Sequence, residues 1–118
     1  MPLFLCILPA GGGACLWAAA QLGSRVSAVV VRGGRPDLAA EVLPAVSAPT
    51  LLLVGGADLR VLELNEAALT LLGSRAVSRL AVVPGASHLF EGPGQLDEVA
   101  DQAGQWFKQH MADQSGII

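Results

Sequence analysis

Two side chains with complementary acid–base chemistry each follow an apolar run that ends in glycine or proline. They are Asp58 in Leu53-Val54-Gly55-Gly56-Ala57-Asp58 and His88 in Val83-Pro84-Gly85-Ala86-Ser87-His88. An imidazole oriented by a carboxylate can take the proton of a nucleophilic hydroxyl. The nucleophile is not where that chemistry needs it. Pro9-Ala10-Gly11-Gly12-Gly13 occupies a strand-to-helix turn of the kind that presents the serine of G-x-S-x-G, and Gly11 stands at the serine position. The backbone N–H of Gly12, the next residue, is then a candidate oxyanion donor. A plainer reading runs beside this one: Asp58 caps a helix that starts near Leu59, and His88 is a loop histidine hydrogen-bonded to it.

Other residues compete for the same roles. Asp37 follows the preceding strand and is the second candidate for the acid. Arg32 and Arg35 are candidates for binding an anionic substrate at the strand ends, or for holding their turn through carboxylate pairs. Cys15 lies in the first turn of a helix, where a thiol pKa falls, but it sits four residues past the elbow and is read as a free, buried, inert cysteine. Ser87 is too close in sequence to His88 to approach it as an elbow serine does. The glycine cluster could cradle an anion at a helix N-terminus, but Leu16 occupies the third glycine position of G-x-G-x-x-G and no Lys-Ser or Lys-Thr follows. His110 is a helix boundary residue, and Trp106 and Phe107 continue an apolar stripe. Cys6 and Cys15 fall on different elements and cannot make a metal site alone. No metal or cofactor is expected.

The elements that must position these residues share one rhythm, a short apolar run, a turn, then a helical pattern, which signals βα units and a parallel sheet. Leu3 to Leu8 is unbroken apolar sequence, as in a strand covered on both faces. Gly11 to Gly13 is expected to turn, with a helix from Ala14 to Leu22 capped by Gly23. Arg25 to Val31 is the second strand, and Pro36 opens a short helix to about Leu43. Thr50 to Val54 is the third strand. Val61, Leu64, Ala68, Leu71 and Leu72 form the stripe of the following helix, closed by Gly73. Arg79 to Val83 is the fourth strand. Leu96, Val99, Ala103, Trp106 and Phe107 trace the face of the last helix, with Asp97 and Glu98 at its N-terminal end. The fold class is α/β: an open, mainly parallel four-stranded sheet with helices on both faces. In such a sheet ligands gather beyond the carboxyl ends of the strands, so the loops at Gly11, Arg32 to Asp37, Asp58 and His88 should share one rim.

Composition sets the limits. With 118 residues the chain makes one domain, and its 53% hydrophobic content against 14% charged residues requires both sheet faces to be covered or a second chain to cover what remains. Seven Lys and Arg in a chain of net charge −3 form no basic stripe, so nucleic acid is not an expected partner. The N-terminal apolar run has no preceding Lys or Arg and is cut by Pro9 and three glycines, which fits neither a signal peptide nor a membrane span of ~20 apolar residues. Cytoplasmic residence with free thiols is expected.

Arg32 to Ala39, Leu53 to Asp58 and Val83 to Glu91 together resemble the C-terminal half of the dienelactone-hydrolase-like branch of the α/β-hydrolase superfamily. The likeness covers nearly the whole chain. It implies a triad in chain order Ser, Asp, His, whose acid and base fall on Asp58 and His88 and whose nucleophile position holds Gly11. The leading expectation is a truncated, catalytically impaired relative that keeps an Asp–His remnant. Its first strand would be a sheet edge open to pairing, which makes a homo-oligomer or a partner chain expected there. The alternatives are an active hydrolase of small carboxylic esters or lactones and a noncatalytic small-molecule or protein-binding module.

Overall fold

The computed structural model describes residues 3–6, 11–32, 35–72, 77–87 and 90–111. Four strands, β1 (Leu3–Cys6), β2 (Ala28–Arg32), β3 (Thr50–Gly55) and β4 (Ser78–Val83), form one sheet in the order β1-β2-β3-β4. All three pairings are parallel, with Leu3 opposite Ala28, Val30 opposite Leu51 and Leu52 opposite Leu80. Parallel neighbours need a crossover, and the helices α1 (Gly11–Leu22) and α2 (Leu59–Leu71) supply two of them. A third helix, α3 (Gln95–Met111), follows β4.

Why β2 and β3 lack any polar alternation is explained by what covers them. Every residue of β3 is buried, and successive side chains enter two separate cores. Val29, Val31 and Leu52 pack with Leu16 and Ala19 of α1 and Ala68 of α2 on one face. Ala28, Val30, Leu51, Leu53, Ala81 and Val83 pack with Val99, Ala103 and Trp106 of α3 on the other. The period of two along each strand therefore divides the apolar sequence between two helical layers. Pro49 ties the second layer down at the amino end of β3, where its carbonyl accepts from Val29 N–H at 2.8 Å and from Trp106 Nε1–H at 3.3 Å.

The boundaries differ from the sequence expectation in instructive ways. Helix α1 begins at Gly11, three residues before the expected Ala14, so the glycines form its first turn and not a separate loop. Gly23 does take a left-handed conformation (φ 55°) after α1, but it opens a 3-10 turn, Gly23–Arg25, that carries Arg25 out of β2. The expected helix from Pro36 is two shorter 3-10 turns, Pro36–Ala39 and Leu43–Ala45, the second of which contains Pro44. Leu71 and Leu96, expected on buried stripes, are exposed. Each lies at an end of its helix. The polar residue buried in α2 is instead Asn65, whose amide donates to Val61 O at 2.8 Å. Gly73 lies outside the described residues.

Candidate functional site

Because every strand runs the same way, the first turn of α1, Arg32, the β3–α2 turn and the β4 exit turn all lie at the carboxyl end of the sheet. The last two are in direct contact through backbone. A Cβ built on Gly55 would collide with the Ala86 carbonyl oxygen and lie 2.7 Å from its carbon and 2.5 Å from Ser87 O. Only glycine allows that approach. The contact continues as a ladder past the ends of the strands: Gly56 N–H donates to Val83 O at 2.9 Å and Ala57 N–H to Ala86 O at 3.0 Å. The turn that carries Asp58 is thereby stitched to the turn that ends at Ser87. His88 itself lies outside the described residues.

Asp58 is the N-cap of α2. Its Oδ1 accepts from Val61 N–H at 3.4 Å, a long bond, and its backbone carbonyl accepts from Leu62 N–H at 2.9 Å. The capping role expected from the sequence is thus present in the structure, and it uses one oxygen of the carboxylate. On the far side of the β4 exit, Phe90 is fixed in the left-handed region (φ 53°), which a bulky residue seldom adopts. Three contacts hold it there. Its ring is 1% exposed, its N–H donates to Ser87 O at 3.1 Å, and the Arg32 guanidinium carbon stands 5.5 Å from the ring centroid. Residues 87 and 90 are therefore both anchored, one to β3 and the other to β2.

The two rim arginines have partners inside the chain. Arg35 donates from Nε and Nη2 to the two oxygens of Asp37, both at 2.9 Å, in a bidentate pair. Hydrogen bonds from Arg35 hold the Asp37 carboxyl below the usual carboxylate range, and the charge of Arg60 lowers it further. Arg35 in turn is raised by Asp37. Asp37 is thus engaged by arginines. Cys15 is half-buried and disulfide-bonded, which corrects the expectation of a free thiol. A disulfide sulfur has no thiolate to offer as a nucleophile. Gly11 and Gly12 open α1, with Gly12 N–H in the first turn, where helix donors lack intrahelical acceptors. His110 packs against Trp106 in a tilted arrangement, with centroids 4.2 Å apart, far along α3 from its start.

A groove of about 330 Å³ lies elsewhere, lined by Leu51, Arg79, Glu98, Asp101 and Trp106 among others. Leu51 and Arg79 stand near the amino ends of β3 and β4, so this groove opens away from the rim that carries Asp58.

Comparison with known proteins follows the same geometry. A crystal structure of dienelactone hydrolase from Anabaena variabilis superposes with a TM-score of 0.84 at 53% sequence identity, over 91% of this chain and 48% of that one. The chain shares the fold of a dienelactone hydrolase. Two Mycobacterium tuberculosis proteins, from strains CDC 1551 and H37Rv, are each 54% identical over 101 residues and are each named "Putative phosphoribosyl transferase". Those residues are 86% of this chain and 22% of either relative. The chain spans about half of the hydrolase and about a fifth of the curated relatives, so the names describe larger molecules. No family model matches. No described helix is long and apolar enough to cross a membrane.

The residues alone gave no account of Phe90 or of the close approach at Gly55. The Gly55-Gly56 pair was a signal for the second. Nothing in a sequence marks a phenylalanine that will adopt positive φ.

Two measurements check this geometry. Gly55→Ala should lower stability by about 3 kcal/mol or more, because backbone and not a flexible side chain occupies the space. Gly104→Ala, in α3 with nothing within 4 Å of the added Cβ, should raise stability by about 1 kcal/mol in the same urea titrations. The Asp37 pair predicts a small acid-side effect. Since its folded pKa is depressed, its contribution is present above the unfolded value of about 3.9 and is lost as pH falls through the folded value. The stability difference between wild type and Asp37→Asn should therefore be constant above about pH 5 and shrink below it. Its size should be small because both partners are partly exposed.

Proposed function

We propose that this chain is a hydrolase-like protein of the dienelactone hydrolase kind in which Asp58 and His88 form the acid and base, Gly11 holds the place of the nucleophilic serine, and hydrolysis of small carboxylic esters or lactones is impaired as a result. The observation that carries the reading is the backbone ladder from Gly55–Ala57 to Val83–Ala86, which sets the turn of Asp58 against the turn that leads into residue 88. The 53% identity to a dienelactone hydrolase supports it. In the proposed arrangement the imidazole of His88 is oriented by Asp58 and faces Gly11, and Gly12 N–H serves as an oxyanion donor. Without a hydroxyl no acyl-enzyme forms, and by analogy with triad deletions turnover falls by about 10⁶.

The phosphoribosyl transferase name attaches to proteins of which this stretch is about a fifth. Among the described residues of the rim, Arg35 is engaged in an ion pair with Asp37.

The decisive variant restores the missing group. Gly11→Ser should hydrolyse p-nitrophenyl acetate at least tenfold faster than the parent chain, and the further change His88→Ala should return it to the parent rate. A Gly11→Ser protein that is folded but no faster than the parent, or one whose gain survives His88→Ala, overturns the proposal.

A further inference from the structure

The sheet ends at β4, and no described strand lies beyond it. Along a strand the backbone groups of successive residues alternate in direction. The carbonyls of Val77 and Val83 accept from Thr50 N–H at 3.0 Å and Gly56 N–H at 2.9 Å, so residues 77, 79, 81 and 83 turn their backbone groups toward β3. Ser78, Leu80 and Val82 therefore turn theirs outward. Such an edge is a template for another strand unless proline, a bulge or charge blunts it. β4 pairs with β3 over six consecutive residues without a bulge, contains no proline and carries one charged residue, Arg79. Apolar side chains flank the edge, with Val77 57% and Val82 41% exposed.

A closed pair of identical edges is related by a two-fold axis, which makes the two strands antiparallel. The outward residues then choose the register, because two opposite residues bond only when both face the seam. Centred on Leu80, the pairing sets Leu80 against Leu80 of the partner and Ser78 against Val82 on either side, each pair exchanging both N–H···O bonds. Centred on Arg79, it puts two guanidinium side chains directly opposite, which is destabilising. Centred on Ala81, it sets Ser78 against Pro84, which has no N–H to give. The Leu80 register places Arg79 opposite Ala81, so the two arginines become diagonal neighbours. Their repulsion is offset by groups already beside them. Arg79 shares its groove with Glu98 and Asp101, so each copy brings one guanidinium and two carboxylates to the seam.

We propose that β4 is a self-association edge, at which a second copy of this chain pairs antiparallel about Leu80 and continues the sheet. The proposal goes beyond the reading of the rim and does not rest on it, since the side of β4 is used and not the carboxyl ends of the strands. It also differs from association through β1, which lies at the opposite end of the sheet.

The experiment measures the mass of the full chain by light scattering from micromolar concentration upward and the exchange of its β4 amides by ¹H–¹⁵N spectroscopy. The chain should form a dimer in which the Ser78, Leu80 and Val82 amides are protected within about tenfold of those of Arg79, Ala81 and Val83. Val82→Pro removes an outward N–H at an exposed position and leaves the bonds to β3, so it should give a folded monomer. In that monomer Ser78 and Leu80 should exchange faster by about tenfold or more while Arg79, Ala81 and Val83 stay protected. Arg79→Glu leaves only carboxylates at the seam and should weaken the dimer by about tenfold or more at low salt, which decides the matter if Val82→Pro does not fold. Four results overturn the proposal: a chain that stays monomeric at the highest soluble concentration, a dimer whose outward amides exchange as an open edge, a monomer whose outward amides are protected by another part of the same chain, or a folded Val82→Pro dimer. An Arg79→Glu dimer as tight as the parent overturns it as well.

Discussion

The close passage of the Ala86–Ser87 backbone over Gly55 is the constraint from which the rest of the site follows. Parallel strands bring their carboxyl ends to one side of the sheet but leave the loops beyond them free to diverge. Here the absence of one Cβ lets β3 and β4 continue their partnership for two more hydrogen bonds, to Val83 O and Ala86 O. Asp58 begins where that partnership ends. The chain then turns directly into α2, whose first turn Asp58 caps, so fold and candidate chemistry depend on the same few atoms.

A second anchor works from the other side. Phe90 keeps a conformation that costs about 1–3 kcal/mol when nothing compensates, and its burial among Leu53, Val83 and Val99 supplies the compensation. Arg32, at the end of β2, lies over the same ring. Positions 87 and 90 thus inherit their placement from the core and not from loop contacts alone. The rim also holds a bidentate ion pair between Arg35 and Asp37.

Much of this was legible in the residues. The unbroken apolar runs at Val29–Val31 and Leu51–Val54 reveal strands covered on both faces, because only a two-layered sheet can bury them. Asp58 was legible as the cap of α2. What escaped the sequence depends on distant partners. Leu96 and Leu71 have helical spacing but sit in the terminal turns of their helices and are exposed. Asn65 is buried because it can reach its own Val61 carbonyl, a local bond that hydropathy does not record. The glycines at 11 to 13 look like a loop by propensity and are helical, since a helix's first turn leaves its N–H groups unpaired anyway and tolerates residues that would weaken its interior.

The Asp58 turn and the β4 exit turn form one hydrogen-bonded unit with the sheet. Amide hydrogen exchange at Ala57 tests it most directly, since its N–H is the outermost rung of the ladder. Protection within about tenfold of that of Val54, the penultimate residue of β3, is the predicted result, because both should open only with the sheet. Exchange of the Ala57 amide at the rate of an open loop while Val54 stays protected would contradict the account.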